Sequence, residues 1–317
     1  MKDDALAALD AYPSLDRLTA RLVALWPEHK DYVDKSFVDR APEVTATSED
    51  VAAAVLRLAE TIPGGLDGLC GDYRFLCEKI VLPEELHFRR HGRYRLSSFE
   101  DALEECYANA PFMARYMNGL LVSNVIWHNH AAAISSYARE YLPALKPGSR
   151  HLEIGPGHGL FLTFAAMNPA VASVSGWDVS PTSIAHTREA LAALGVTRPV
   201  TLTLQNLFEA DPASDSARFD SIVMSEILEH LEDPVAALKS AMAWLSPGGT
   251  IWVNVPANSP APDHIFLVES PEHACDIVRA AGLDVTSWHG FPMTGATLEK
   301  ARKRKLAVSC VMVDRKP

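Results

Sequence analysis

No stretch of this chain is apolar for long enough to span a bilayer, and the opening residues Met1-Lys2-Asp3-Asp4-Ala5-Leu6 carry no basic region leading into an apolar one. No membrane partner is expected, and a cytoplasmic location is. Cysteine is scarce and unpatterned. Cys70, Cys77, Cys106, Cys275 and Cys310 are an odd number, and none has the C-x-x-C spacing of zinc or redox sites. Reduced, mostly buried thiols are expected. Positive charge is also short: 29 Lys and Arg against 40 Asp and Glu leave a formal net charge of −11. A nucleic-acid partner normally requires a basic face that displaces counterions, so none is expected. Internal repeats and low-complexity tracts are absent. What remains is the composition of a globular chain, 48% apolar and 22% charged over 317 residues, enough for two packed domains.

Against this background one run stands out. His151-Leu152-Glu153-Ile154-Gly155-Pro156-Gly157-His158-Gly159-Leu160-Phe161 reads as a strand end, a glycine turn and a helix start. A turn this tight needs positive φ angles and lets backbone approach a ligand. The dinucleotide fingerprint G-x-G-x-x-G does not fit, because the glycines fall at 155, 157 and 159 and Leu160 follows. Glu153 sharpens the distinction: a carboxylate there repels a pyrophosphate and attracts a cofactor carrying an amino group or sulfonium. Downstream, Gly176-Trp177-Asp178 ends a second strand and places an acid about 20 residues past the loop, the distance from which a carboxylate accepts hydrogen bonds from ribose hydroxyls. A turn or helix-cap role before Ser180-Pro181 is the alternative for Asp178. Val200 to Leu204 and Phe219 to Glu226 read as third and fourth strands, and Leu245 to Val255 as a turn and fifth strand.

Together these segments resemble the class I S-adenosylmethionine (SAM) dependent methyltransferases. The first motif of that family, E/D-x-G-x-G-x-G, matches Glu153 to Gly159, and Ser225-Glu226-Ile227-Leu228-Glu229-His230-Leu231 resembles the motif after its fourth strand. The resemblance runs from about Gly148 to the C-terminus and rests on the motifs in combination. It implies an α/β fold, a Rossmann-like seven-stranded core in which residues 283–288 and 306–313 form the antiparallel edge. It also implies SAM as cofactor and S-adenosylhomocysteine as product. Carried over residue by residue, the cofactor-binding set is Glu153, Gly155, Pro156, Gly157, His158, Gly159, Asp178, Val179, Asn206, Leu207, Ser225 and Glu226. At Asn206 the family often has an acid; here an amide carbonyl would hold the adenine amino group. Glu229-His230 recurs in methyltransferases with different acceptors, which points to a structural or cofactor-side role.

The first 145 residues read as almost wholly helical. Asp3 to Trp26, broken at Pro13, has apolar residues at helical spacing, and Ser48-Glu49-Asp50-Val51 opens a helix ending before Pro63. Ser98-Phe99-Glu100-Asp101 resembles a capping box, and a break is expected near Asn109-Ala110-Pro111. The expected organisation is an N-terminal all-helical lid or substrate domain over 1–145 and a SAM-binding methyltransferase domain over 146–317. A homo-oligomer built through the helical domain is left open. Two basic clusters stand out: 300–305 reads as a solvated turn, and 87–95 as a surface loop, with contact to a substrate carboxylate or phosphate as the alternative.

Candidate acceptor residues lie in two segments. Tyr116 through His130 places aromatic, amide and imidazole groups just upstream of the core. Tyr116 or Trp127 could face the sulfonium through a ring quadrupole, and His128 or His130 could act as base near neutral pH. Asp263-His264 sits in a proline-rich loop after the fifth strand, at the end of the sheet where open α/β folds bind ligands. His264 is a second candidate base. The candidate catalytic residues are His264, His128, His130 and Glu226; the candidate substrate contacts are Tyr116, Trp127, His128, His130, Glu229, His230, Asp263 and His264. No metal is expected, since side chains two apart on a helix, as in His128-x-His130, diverge. The activity implied is methyl transfer to nitrogen, oxygen or activated carbon of a small molecule, such as a metabolite or natural-product precursor, with a cationic amino acid or guanidine among the candidates. The alternatives are a protein or RNA methyltransferase, a noncatalytic SAM-binding module and an NAD-dependent oxidoreductase. The absence of an Asn-Pro-Pro-aromatic tetrad after the fourth strand counts against base or amide methylation.

Overall fold

A computed structural model describes residues 9, 11–38, 40–210 and 219–316. The helical part comprises α1 (Pro13–Leu25), α2 (Lys30–Phe37), α3 (Pro42–Ala59), α4 (Gly65–Phe75), α5 (Leu82–His91), α6 (Phe99–Ala102), α7 (Ala110–Ile126) and α8 (His128–Ser136). Proline at the first turn starts α1, α3 and α7, where its missing N–H costs nothing. The free N–H groups of Ser14 and Leu15 are satisfied from another helix, by the two carboxylate oxygens of Glu49 at 2.9 and 2.8 Å. Helices α4 and α7 cross closely because residue 119 is glycine: a Cβ there would lie 2.6 Å from Leu76 Cβ and 2.9 Å from the Asp72 carbonyl.

The expected break at Asn109 is present. Asn109 caps α7, accepting from the Phe112 N–H at 3.2 Å. Ser98 caps α6, but that helix runs four residues and passes into a wide π-helical turn at Leu103–Tyr107. Two helix assignments shift. The helix expected from Ser48 begins six residues earlier at Pro42, and Ser48 sits inside it with its hydroxyl returned to the Val44 carbonyl at 2.7 Å. The basic segment 87–95 lies mostly in α5, which ends at Gly92 in the left-handed region. The apolar pattern expected before Pro13 falls largely outside the described residues.

The sheet follows: β1 (Ser149–Ile154), β2 (Val171–Asp178), β3 (Val200–Leu204), β4 (Phe219–Ser225), β5 (Leu245–Ala257), β6 (Asp284–Pro292) and β7 (Val308–Arg315), in the order β3-β2-β1-β4-β5-β7-β6. The first five are parallel; β7 is antiparallel to both β5 and β6, as the resemblance implies. Helices α9 (Leu160–Met167), α10 (Pro181–Ala193), α11 (Pro234–Trp244) and α12 (Pro271–Ala280) cover the sheet, and α13 (Leu298–Arg304) carries the second basic segment, which is therefore helix rather than turn. Strand β4 is buried on both faces, as a central parallel strand must be.

The helical part does not float above this sheet. Leu15, Leu18, Val51, Leu69, Tyr73 and Val125 share a core with Leu160 and Leu194 of the α9–α10 side. Residues 131–142 lie on the sheet itself, where Tyr137 and Tyr141 hydrogen-bond His151 (3.1 Å) and Ser221 (2.7 Å). From β1 the chain winds outward to β3 and then returns to β4 on the other side of β1. That reversal opens a crevice at the carboxyl ends of β1 and β4, where ligands bind in open α/β sheets.

Candidate active site

The glycine turn sits at this crevice. Gly155, Gly157 and Gly159 have φ of 68°, 49° and 70°. At Gly155 the lack of a side chain has a second cause, because a Cβ would lie 2.3 Å from Ile227 Cδ1 on the loop after β4. Glu153, one residue before the turn, is 2% exposed and its Oε2 has no partner. Burial pushes its carboxyl well above the usual range, partly offset by the Leu162 backbone N–H. A buried acceptor left unsatisfied beside a cradle of bare backbone is the arrangement that an amino-bearing cofactor completes. His158 does not project into this space; its Nε2 pairs with the Met117 carbonyl of α7 at 2.9 Å. Helix α7 thereby packs on the loop.

The carboxyl ends of β2 and β3 complete this side. Asp178 is partly buried, and its Oδ1 accepts from the Ser180 N–H at 2.8 Å, so the turn role weighed for it is present. Three exposed apolar side chains stand near it: Val179 follows it, Leu204 pairs with it across β2–β3, and Phe208 lies beyond β3. Asn206 fits the adenine role less well than expected. Its carbonyl already accepts from the Phe208 N–H at 3.0 Å, and its amide donates to Glu209 at 3.2 Å. Pro156 and Leu207 are buried in the packing beneath.

On the other side of the crevice, β4 and β5 bring together a polar cluster. Ser225 ends β4, and Glu226 follows with φ 54°, a backbone strain that a non-glycine residue keeps only where its surroundings impose it. Two bonds impose it here: the Glu226 N–H donates to the Asn254 carbonyl (2.8 Å), and the Asn254 side-chain amide donates to Glu226 Oε1 (2.7 Å). Burial pushes the Glu226 carboxyl up to about 7. Glu229 is fully buried, and neither carboxylate oxygen has a hydrogen-bond partner. Burial, with Glu226 nearby, pushes it well above its ordinary value.

The loop after β5 folds back onto this point, held by the N–H groups of Ile265 and Phe266, both 2.9 Å from the Glu229 carbonyl. Asp263 and His264 are thereby buried against Glu229 and His230. Asp263 accepts from the hydroxyls of Tyr116 (3.0 Å) and Tyr107 (3.1 Å). Burial pushes its carboxyl up, but His230, His264 and the Tyr116 hydroxyl outweigh that and hold it below the usual range. Burial, reinforced by His230, lowers His264 to about 4.

Of the expected acceptor residues, Tyr116, Glu226, Glu229, His230, Asp263 and His264 converge. His130 is near, but its Nδ1 is taken by the Ser123 hydroxyl at 3.0 Å, and burial lowers it to about 4. Trp127 is not turned to the crevice: its indole N–H donates to Tyr73 at 3.0 Å inside the helical core, which corrects the expectation that it faces a sulfonium. His128 lies toward β6, its N–H bonded to Thr294 and its imidazole lowered by burial and Arg40, and it does not join the cluster. Tyr94, Tyr107 and Asn254 were missed. Tyr94 accepts from the Ser259 N–H at 3.1 Å and packs edge-on against His264. Nothing local in the sequence marks them, since each reaches the cluster from a distant element. Among the described residues no helix is long and apolar enough to cross a membrane.

Comparison with known proteins agrees with this geometry. A family model described as a methyltransferase domain matches residues 126–303, more than half of the chain. The ubiquinone biosynthesis O-methyltransferase of Xanthomonas campestris pv. campestris is 32% identical over 115 residues, covering 36% of this chain and 46% of that protein. The demethylluteothin O-methyltransferase of Streptomyces thioluteus is 34% identical over 112 residues, 33% of this chain and 45% of that protein. The chain thus spans about half the length of these relatives. Among solved structures, the N-methyltransferase NodS from Bradyrhizobium japonicum in complex with S-adenosyl-L-homocysteine aligns with a TM-score of 0.43 at 16% identity, over 59% of this chain and 87% of that one. With a seven-stranded sheet of the order found here and a glycine turn at its reversal point, the chain belongs to the class I SAM-dependent methyltransferase family.

Proposed function

We propose that the protein is a SAM-dependent methyltransferase acting on a hydroxyl of a small molecule. The observation that carries this reading is the pairing of two unlike surfaces in one crevice: bare backbone and an unsatisfied Glu153 at the end of β1, and a buried carboxylate–imidazole–phenol cluster beyond β4 and β5. The first surface fits SAM. Glu153 faces its amino group, the 155–159 turn lets it approach backbone, Asp178 takes its ribose and Val179 flanks its adenine. SAM supplies, when bound, a methyl group made electrophilic by the sulfonium.

The chain's own residues then have three tasks. Helix α7 excludes water by seating Met117 on the glycine turn and Tyr116 on Asp263. The cluster of Glu229, His230, Asp263 and His264 orients the acceptor oxygen. Glu226, held in its strained turn by Asn254, takes the hydroxyl proton. Oxygen is favoured over nitrogen and carbon because the partial relatives named above are O-methyltransferases.

The test is calorimetric titration with S-adenosylhomocysteine, followed by product detection with SAM and a panel of phenols, enols, amines and guanidines. Binding of the nucleoside and methylation of a hydroxyl are expected. Binding of NAD in its place would overturn the cofactor assignment; transfer to amines alone would overturn the acceptor; binding without any transfer would leave a noncatalytic module.

A further inference from the structure

The acceptor cluster gathers ligand atoms that hydrogen bonding leaves unoccupied. His230 Nδ1 lies 3.0 Å from the Asp263 carbonyl, and His264 Nδ1 lies 2.7 Å from the Ser259 carbonyl. A carbonyl oxygen only accepts, so each imidazole holds its proton on Nδ1 and presents a bare lone pair on Nε2. Both lone pairs turn to the same place. His230 Nε2 is 3.7 Å and His264 Nε2 is 3.9 Å from Oε1 of Glu229, a carboxylate that is fully buried with neither oxygen hydrogen-bonded. One donor atom from each of the three residues falls within 4.8 Å of the others. Three ligand atoms thus converge on one buried point, an arrangement that a bound cation completes. The ion pairs that Glu229 and Asp263 make among the described residues are with these histidines alone, so no lysine or arginine occupies the point where the three ligand atoms meet.

We infer that Glu229, His230 and His264 form a binding site for one divalent transition-metal ion. Two imidazoles and a carboxylate are the donor set of first-row ions such as Mn2+ and Zn2+, and a three-residue set leaves coordination positions open. Each imidazole also has the outer partner that fixes a metal-binding tautomer, here a backbone carbonyl on Nδ1. The Tyr107–Asp263–Tyr116 hydrogen bonds hold the loop that carries His264. The expectation of no metal considered the cysteine spacings and the sequence neighbours His128 and His130; this set joins the turn after β4 to the loop after β5. With the ion present, the Nε2 lone pair of His264 is a ligand and not a base. A role for the open positions in holding an acceptor oxygen rests on the function proposed above; the site itself does not.

The experiment is a titration of the full chain, stripped with a chelator, with Mn2+, followed by loss of the free-ion electron paramagnetic resonance signal, alongside S-adenosylhomocysteine calorimetry on the same samples. One Mn2+ per chain is expected, competed by Zn2+ and weakened at least tenfold in both Glu229→Gln and His264→Gln, with nucleoside affinity within about twofold of the parent. Absence of Mn2+ and Zn2+ binding by the parent chain overturns the site, as does unchanged binding in both folded variants. Failure of the nucleoside to bind while Mn2+ binds overturns the methyltransferase reading and leaves the metal site standing.

Discussion

On the β1–β3 side of the crevice the glycine turn presents bare backbone; on the β4–β5 side the surface is made of buried side chains. The first side works by what is missing, since a Cβ at 155 would meet Ile227 and the turn needs left-handed φ at its three glycines. The second works by what is present, with Glu229, Asp263 and His264 taken out of water, Asp263 held by Tyr107 and Tyr116 and His264 by the Ser259 carbonyl. Helix α7 touches both through adjacent residues, Tyr116 on Asp263 and Met117 on His158. A cofactor shared by many acceptors suits a surface of invariant backbone chemistry, while an acceptor needs side chains that can differ.

If the two sides are separable, substitutions on one should spare the other. The largest effect is expected for Gly155→Val, which adds backbone strain of about 1–3 kcal/mol to a steric clash. S-adenosylhomocysteine affinity should fall about a hundredfold by calorimetry. Adding Ile227→Ala should recover only part, since the φ strain persists. Asp263→Asn comes next: weakening hydrogen bonds to a buried charge costs about 1.5–3 kcal/mol, so turnover should fall roughly tenfold to a hundredfold with nucleoside affinity unchanged.

A third prediction concerns the floor beneath both sides. His151 is fully buried between Tyr137 and Ser221, and burial lowers it to about 3. The unfolded chain takes up this proton below pH 6.5 and the folded chain does not, so stability should fall as pH drops from about 6.5 towards 3, by up to about 1.4 kcal/mol per pH unit for this group. His151→Gln should flatten the denaturation midpoint against pH by one proton's worth; an unchanged slope would contradict the assignment. The smallest effect is expected for Tyr107→Phe, where Asp263 keeps the Tyr116 hydroxyl. Loss of one such bond, about 1 kcal/mol, should lower turnover several-fold.

The same contrast explains what could be read from the chain. Glu153 to Gly159 is contiguous, and strand–turn–helix chemistry is local, so the glycine turn and all seven strands were legible. The pair Asp263-His264 was legible as a loop after β5, but its partnership with Glu229 was not, because the Ile265 and Phe266 N–H groups that join them act across 36 residues of chain. Tyr107 carried no signal, since a lone tyrosine in a helical segment reads as core, and Tyr94 was lost in a basic segment read as a surface loop. Trp127 misled for the opposite reason: it stands in a suggestive neighbourhood, yet Tyr73, 54 residues earlier, takes its N–H.

The central claim is that one crevice holds two independent half-sites, and the most direct test is S-adenosylhomocysteine calorimetry on the parent chain, Gly155→Val and Asp263→Asn in parallel. Tight binding, loss of binding and parent-like binding, in that order, are predicted. Parent-like affinity in Gly155→Val, or equal loss in both variants, would contradict the account.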